Sequence, residues 1–315
     1  MTAKPNRGFP RALLARGLLT LMLGCCAVAG ALAQDLAAAT TGAVALQARY
    51  SALQEQLRNS GFKRPLLLES TQSSDDLKGD VWAVVEYPFA TVSQALQGTG
   101  HWCDILILHL NVKHCRASSN AGAEGLSLSV GRKFDQALSD AYRVEFTYRV
   151  TAAGADYLQL QMSAENGPLS TRNYRIGIEA VPLDQRRTFL HMSYAYDYGF
   201  AAKVAIQGYL ATLGAGKVGF SVVERHPDGQ VVYVDNVRGV LERNTMRYYL
   251  AVEAYLGAYT APPAEQVDKR LRDWFSATER YALQLHEMEQ VDYLEMKRKE
   301  VARLQAPQPA SARSN

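Results

Sequence analysis

Tyrosine side chains recur on one face of a predicted strand and on a predicted apolar helix. Tyr194, Tyr196 and Tyr198 occupy alternate positions, which places their rings on the same face of a strand. Tyr248 adds a ring from the helix predicted over residues 246–259. Because tyrosine combines an apolar ring with a polar tip, a cavity lined by such rings can hold an amphipathic molecule and orient it. The alternative is that these tyrosines are ordinary core residues.

Two charged residues lie on that otherwise apolar helix, and they are the second candidate part of a binding site. Burying a charge costs free energy unless the charge is paired or meets a ligand. We therefore expect Arg247 and Glu253 either to contact a ligand or to pair within the chain. In the second case the expected partners are each other or the neighbouring Glu242 and Arg243. A further hypothesis is an enzyme in which Arg247, Glu253 or a tyrosine acts as acid or base.

Cys103 and Cys115 are the two cysteines that follow the first 33 residues. In an oxidising compartment they are expected to form one disulfide that closes a short loop. The alternative is two free, buried cysteines. His109 and His114 lie close by, with a spacing that zinc pairs tolerate. Because no second pair of ligands follows at a regular distance, we predict no metal site and no other cofactor.

Signatures of common catalytic machineries are missing from the sequence. The chain has no Gly-x-Ser-x-Gly nucleophile elbow. The segment from Gly214 to Lys217 resembles the end of a phosphate-binding loop, but Val218 stands where that loop needs Ser or Thr. The sequence therefore favours a binding protein over an enzyme with a standard catalytic motif.

The first 33 residues have the composition of a secretory signal peptide. The first 16 residues include four basic residues and no acidic one. An apolar segment follows from Leu18 to about Val28, and Ala31–Ala33 form an A-x-A cleavage site. The apolar segment is too short to span a bilayer, which needs about 20 residues. We therefore expect export to a bacterial periplasm. Lipidation at Cys25 is the alternative, because a glycine precedes this cysteine as in a lipobox.

The charge of the exported chain would be close to zero. Four of the 34 basic residues and none of the 31 acidic residues lie in the first 33, which leaves a formal charge of −1. A near-neutral chain gives no electrostatic reason to expect nucleic acid as a partner. With 48% hydrophobic and 21% charged residues, the composition is that of a globular protein.

Hydrophobic periodicity divides the chain into strands and helices. Alternation with period two is clearest at residues 142–150, and similar segments recur up to residue 198, which predicts an antiparallel sheet. A first strand is predicted at 80–87, and Pro227-Asp228-Gly229 predicts a later hairpin between strands at 218–224 and 231–237.

Helical periodicity is found before, within and after this strand-rich region. It predicts a helix over residues 41–60, a helix inserted near 200–213 and a buried apolar helix over 246–259. From residue 265 to about 304 the pattern predicts one long amphipathic helix. Its polar face mixes acidic and basic residues, unlike the basic face of a membrane-surface helix, so a protein contact is the better functional interpretation.

The order of these elements resembles the helix-grip fold of the START-like (SRPBCC) superfamily. The chain has a strand, two short helices entered through Tyr87-Pro88-Phe89, a long antiparallel meander and the apolar helix Met246–Tyr259. The resemblance covers about Asp80 to Tyr259; the helix near Phe200 and the segment after Pro263 are additions. It implies an α+β fold in which an antiparallel sheet wraps around a C-terminal helix. In this superfamily the cavity between sheet and helix commonly holds lipids, sterols or polyketide-like molecules.

We predict an exported protein that binds a hydrophobic or amphipathic small molecule, such as a lipid, between the sheet and the C-terminal helix. The alternative is a non-enzymatic envelope interaction or structural protein that binds a protein partner through its amphipathic C-terminal helix. The candidate ligand contacts are Tyr194, Tyr196, Tyr198, Arg247, Tyr248 and Glu253. The predicted regions are a signal peptide (1–33), a helix and extended lead-in (34–79), a START-like domain (80–260), a helical tail (261–305) and a disordered end (306–315).

Overall fold

The structure is a computed structural model that describes residues 40–120, 123–210 and 216–305, together with Met1. The predicted signal peptide and the predicted disordered end lie outside the described residues. Among the helices within these ranges, none combines the length and the apolar character needed to cross a membrane.

An eight-stranded antiparallel sheet forms the centre of the fold. Its strands are β1 (Leu66–Gln72), β2 (Asp76–Val85), β3 (Val112–Asn120), β4 (Ala123–Val130), β5 (Tyr142–Ala153), β6 (Leu158–Asn166), β7 (Thr171–Pro182) and β8 (Thr188–Tyr198). The spatial order is β1-β2-β8-β7-β6-β5-β4-β3. Strands β3 to β8 pair as consecutive neighbours, and β2 pairs with β8 because the chain crosses the sheet between β2 and β3. The predicted extended lead-in contains β1, which adds a strand beyond β2.

Eight helices and a small hairpin complete the described part of the chain. The helices are α1 (residues 40–58), α2 (Phe89–Leu96), α3 (Thr99–Leu106), α4 (Phe200–Leu210), α5 (Asn236–Tyr259), α6 (Pro263–Glu279), α7 (Ala282–Leu285) and α8 (Gln290–Gln305). The hairpin pairs β9 (Val222–Arg225) with β10 (Val231–Tyr233) through a turn in which Gly229 has φ +88°. Both strands are shorter than predicted, because α5 already begins at Asn236.

Helix α5 lies against the inner face of the sheet, where it contacts β1, β2 and β8. It approaches β2 so closely that a side chain at Gly79 would collide with Thr245. The prediction of a helix starting at residue 246 was too short, since α5 spans 24 residues. Its first turns carry charged side chains that are nevertheless buried, such as Glu242 and Arg243 at 0% and 1% exposure. A prediction from apolar periodicity does not detect a helix turn whose buried side chains are charged.

The outer face of the sheet carries a second, smaller core beneath α1. Leu46, Leu53 and Leu57 of this helix pack against Val84 and Phe189 of the sheet. Because side chains alternate along a strand, residues on either side of Val84 point instead into the main core. The sheet is therefore buried on both faces in the region of β2 and β8.

The region after residue 262 differs from the prediction of one long amphipathic helix. It consists of α6, α7 and α8, separated by a turn at Tyr281 and an extended segment that begins at His286. The chain reverses here, so that α6 packs along α5 and α8 packs beside β3. The apolar face predicted for this helix is buried only in part. Leu271 and Trp274 are buried, whereas Val291 is 69% exposed.

Candidate functional site

Four tyrosine rings meet between the sheet and α5, and we call Tyr174, Tyr194, Tyr196 and Tyr248 the tyrosine cluster. Tyr174 of β7 stacks on Tyr196 of β8, with ring centroids 5.2 Å apart. Tyr194 lies 5.2 Å from the ring of Tyr248 on α5 and 5.5 Å from that of Tyr196. Tyr248 in turn stacks on His109, at 4.6 Å between centroids. The structure thus brings three of the predicted tyrosines together.

The hydroxyl groups of this cluster differ in their hydrogen bonding. The hydroxyl of Tyr174 bonds with Thr171 Oγ1 at 2.7 Å. Within the described residues, no hydrogen bond is made by the hydroxyls of Tyr194, Tyr196 and Tyr248. Burial raises the pKa of each of these three hydroxyls, so all are neutral donors. None of the three oxygens is among the fully buried side-chain atoms that lack a partner, so each keeps some accessible surface, and three such hydroxyls side by side indicate room for a molecule from outside the chain.

Space for such a molecule is indicated at Tyr248. This ring is covered by His109 on one side and contacts Tyr194, yet it remains only half-buried. A side chain that is enclosed by other residues and still keeps accessible surface has room beside it. The region between β8 and α5 is therefore the candidate binding site.

Basic side chains lie next to the tyrosine cluster, and we call Lys133, Lys217, Arg243 and Arg247 the basic cluster. Arg247 is 1% exposed and donates to Glu287 Oε1 at 2.7 Å and to the carbonyl of Leu285 at 3.2 Å. Lys133 donates to the same Glu287 oxygen at 2.5 Å. Lys217 donates to the carbonyl of His286, and Arg243 to the carbonyl of Val218 at 3.2 Å. The four cations thus converge on two short segments.

The electrostatics of the basic cluster reflect burial among like charges. Burial, assisted by Arg247, lowers the pKa of Lys133 to about 8. Burial alone would raise the pKa of Glu287, but Arg247, Lys133 and Lys217 hold it below its usual value. Arg247 also opposes the rise in the pKa of Tyr248, which shows that the two clusters adjoin.

Two of the predicted site residues lie elsewhere. Glu253 accepts hydrogen bonds from Arg64 Nη1 at 2.9 Å and from the Tyr249 hydroxyl at 3.0 Å, so it anchors the segment before β1. The predicted partners of the two helix charges were therefore wrong, because Glu253 pairs with Arg64 and Arg247 with Glu287. The hydroxyl of Tyr198 accepts from Gln72 Nε2 at 2.9 Å at the end of β1.

A polar cluster on the outer face of the sheet was missed by sequence reasoning. His191 bridges two carboxylates, with Nδ1 at 3.0 Å from Glu179 Oε2 and Nε2 at 2.8 Å from Asp80 Oδ1. Its ring stacks on Trp82 at 3.7 Å, and Tyr157 donates to Glu179 at 2.6 Å. Asp80, Trp82, Glu179 and His191 alternate with core residues on β2, β7 and β8, but only the register of the sheet brings them together.

Cys103 of α3 and Cys115 of β3 form a disulfide with Cα atoms 5.2 Å apart, which confirms the predicted pairing. His109 is buried against Tyr248, and its Nδ1 accepts from the backbone amide of Asn111 at 3.1 Å. Over the residues that the structure describes, no group of three His, Cys, Asp or Glu side chains could hold a metal ion.

Helix α8 is anchored to the rest of the fold by buried charges. Lys297 donates to the carbonyls of His109 and Val112 at 2.7 and 2.8 Å and to Glu300 Oε2 at 2.7 Å. Lys113 donates to the other Glu300 oxygen at 3.0 Å. The inner face of α8 is therefore occupied within the chain, so a partner could bind only its outer face.

Comparison with known proteins finds similarity in solved structures. Human StAR-related lipid transfer protein 5 matches with 10% identity and a TM-score of 0.35, over 70% of this chain and 98% of that one. The Zhui aromatase/cyclase of Streptomyces sp. R1128 matches with 15% identity and a TM-score of 0.34, over 62% and 96% of the two chains. Norcoclaurine synthase of Thalictrum flavum matches with 13% identity and a TM-score of 0.30, over 46% and 91%.

No protein-family profile matches the chain, and no curated protein sequence matches it with significance. The TM-scores of these three matches are all below 0.5, so the matches carry no argument about this chain. The α+β architecture, with an antiparallel sheet around the long helix α5, is confirmed.

Proposed function

We propose that this protein binds an amphipathic small molecule, such as a lipid, in the space between β8 and α5. The observation that carries this proposal is the set of three interior hydroxyls, on Tyr194, Tyr196 and Tyr248, that make no hydrogen bond within the described residues. Tyrosine rings would contact the apolar part of the ligand, and their hydroxyls would donate to its polar atoms. The site needs no cofactor for this role.

We further propose that binding takes place in the periplasm after export. The composition of residues 1–33 supports this location, and the disulfide between Cys103 and Cys115 is of the kind that persists in oxidising compartments. The three hydroxyls have raised pKa values, so they are neutral at neutral pH and would donate hydrogen bonds to a ligand.

Native mass spectrometry tests the proposal. The protein is purified from the periplasm, incubated with a solvent extract of bacterial lipids and compared with the variant Tyr194→Phe/Tyr196→Phe/Tyr248→Phe. We expect a stoichiometric adduct on the wild-type protein. The occupancy on the variant should be lower by about tenfold, because the hydrogen bonds from the three hydroxyls to the ligand are lost. The matched control is Tyr142→Phe, because this ring is 44% exposed on β5.

The outcome separates a binding site from a filled core. A variant that keeps the adduct at wild-type occupancy would show that the three hydroxyls do not hold the ligand. A wild-type protein that takes up nothing from the extract would refute the proposed function.

A further inference from the structure

The two ring nitrogens of the buried His109 have different surroundings. Nδ1 accepts a hydrogen bond from the backbone amide of Asn111 at 3.1 Å, which assigns the proton of the neutral ring to Nε2. Asn244 lies beside the same ring and opposes the fall in its pKa, but Nε2 makes no hydrogen bond with Asn244 or with any other described residue. Since buried donors are normally hydrogen-bonded, this N–H group indicates an acceptor from outside the described chain.

The His109 ring forms part of the candidate binding site. It is 2% exposed and stacks on Tyr248 at 4.6 Å between ring centroids, and Tyr248 lies 5.2 Å from the ring of Tyr194. Asn244 lies one helix turn before Tyr248 on α5, and both of these side chains are half-buried. A rotation of the Asn244 side chain would therefore open a way from the accessible surface at Tyr248 to Nε2 of His109.

The groups of the site that lack partners within the described residues are all neutral. Burial, assisted by nearby cations, lowers the pKa of His109 well below its usual value, so the ring carries no charge at physiological pH. The hydroxyls of Tyr194, Tyr196 and Tyr248 are uncharged as well, because burial raises their pKa values. The site therefore offers hydrogen bonds without charge.

The charged side chains nearby already have partners. Glu287 accepts hydrogen bonds from both Arg247 and Lys133. Behind His109, the carboxylate of Glu300 pairs with two buried lysines. A ligand that brought a charge into this region would have to break one of these ion pairs or remain without a counter-charge, and both are costly. The arrangement favours a ligand whose polar end is uncharged.

The hydrogen-bonding capacity of these groups narrows the ligand further. The Nε2–H group of His109 can only donate, whereas a tyrosine hydroxyl can donate or accept. A carbonyl oxygen has two lone pairs, so it can accept from Nε2 and from one tyrosine hydroxyl at the same time. An ester or a ketone with an alkyl chain suits both parts of the site, because its chain can lie along the tyrosine rings.

Given the proposed binding function, on which this step rests, we infer that the ligand is an uncharged amphiphile whose carbonyl oxygen accepts a hydrogen bond from His109 Nε2. The ligand class is a fatty-acid ester or a long-chain ketone. His109 determines the preference for a carbonyl group, and the tyrosine cluster contacts the adjoining part of the ligand.

The first test compares ligands that share one alkyl chain and differ at the polar end. Methyl laurate, laurate and dodecane are supplied from methyl-β-cyclodextrin, and dissociation constants are measured from the change in tyrosine fluorescence. We expect methyl laurate to bind about tenfold more tightly than dodecane, because it gains hydrogen bonds that dodecane cannot make. It should also bind about tenfold more tightly than laurate, whose charge would be buried without a partner.

Two substitutions of His109 separate its hydrogen bond to the ligand from its packing. Asparagine keeps an acceptor near the position of Nδ1 and has no atom at that of Nε2, whereas glutamine reaches the position of Nε2 with an amide donor. Both lose the ring that stacks on Tyr248, so each variant is the control for the other. We expect His109→Asn to bind methyl laurate about tenfold more weakly than His109→Gln, and both to bind dodecane equally. Thermal denaturation checks that both variants are folded.

A spectroscopic measurement on the wild-type protein needs no substitution. Proton–nitrogen correlation spectra of protein with isotope-labelled histidine report which ring nitrogen carries the proton. We expect the proton of His109 on Nε2, and we expect methyl laurate, but not dodecane, to shift the Nε2 signal.

Each outcome separates the inference from the function on which it rests. Equal affinity for methyl laurate and dodecane, or binding of laurate as tight as that of methyl laurate, would overturn the uncharged carbonyl ligand and leave the binding function standing. Equal affinity of the two His109 variants for methyl laurate, or an Nε2 signal that methyl laurate leaves unchanged, would overturn the role of His109. Failure of all three ligands and of the lipid extract to bind would refute the binding function itself.

Discussion

Replacing single tyrosines by phenylalanine tests whether the interior hydroxyls lack partners. Tyr194→Phe and Tyr174→Phe remove the same atom from neighbouring rings of one cluster, whose centroids are 6.2 Å apart. Only the Tyr174 hydroxyl has a partner within the described residues, at 2.7 Å on Thr171. We therefore expect Tyr174→Phe to lower the free energy of unfolding and Tyr194→Phe to leave it unchanged or raise it.

The magnitudes follow from the hydrogen bond that is present in one case and missing in the other. Tyr174→Phe should destabilise the protein by about 1 kcal/mol, the net contribution of an ordinary hydrogen bond. Tyr194→Phe loses no such bond within the described residues and removes an unpaired hydroxyl from a largely apolar surrounding. It should therefore leave the ligand-free protein equally stable or stabilise it by about 1 kcal/mol.

Thermal and urea denaturation of delipidated protein measure this difference. A separation of about 2 kcal/mol between the variants corresponds to about 4–8 °C in Tm for a protein of this size. Added ligand should stabilise the wild-type protein more than Tyr194→Phe, because binding to the folded state raises its stability according to affinity. If Tyr194→Phe destabilised the ligand-free protein as much as Tyr174→Phe, the hydroxyl would have an internal partner and the main argument for the site would fail.

Three further perturbations test other parts of the structure. Glu300→Gln should destabilise the protein by about 3–5 kcal/mol, because it leaves the buried Lys113 and Lys297 without their shared carboxylate. The control is Glu295→Gln, whose side chain is 66% exposed and which should cost less than about 0.5 kcal/mol. Urea denaturation measures both. Burial alone would lower the pKa of His191, but the carboxylates of Asp80 and Glu179 raise it. The stability that protonated His191 adds is therefore complete below about pH 6.5 and is lost as the pH rises through the folded pKa. His191→Gln should therefore destabilise the protein by about 2 kcal/mol at about pH 5.5 and progressively less as the pH rises above about 6.5, and an effect independent of pH would contradict this account. Replacing Cys103 and Cys115 by alanine should cost about 3 kcal/mol, the loop-closure value for a separation of 12 residues, and reduction of the wild-type disulfide should lower Tm by a similar amount.

The fold could be predicted from the sequence because its strands obey one simple rule. In β5, the inward residues Val144, Phe146 and Tyr148 are buried and alternate with exposed polar residues, so period-two hydrophobicity and burial coincide. The reversal after α6 could not be predicted in the same way. The apolar stripe continues through Tyr281 and Leu285, and a periodic pattern contains no information about a change of direction between helices.

The candidate site was predictable as far as it depends on neighbours in sequence. Alternation along β8 correctly placed Tyr194 and Tyr196 on the same inner face. The ion-pair partners of α5 were not predictable, because Arg64 lies 189 residues from Glu253 and Glu287 lies 40 residues from Arg247. The contacts of Lys133 and Arg247 with Glu287 are of this distant kind, so they emerge only in the folded chain.

The docking of α8 beside β3 has a consequence for self-association. Among the described strands β3 is the last on its side and pairs only with β4, so its free edge would present backbone groups to any other strand in solution. Helix α8 packs against β3, and Lys297 donates to its first carbonyl, that of Val112. The segment after α5 thus protects an edge strand, and a chain that ended before α8 would gain a surface on which strands of other copies could add and aggregate.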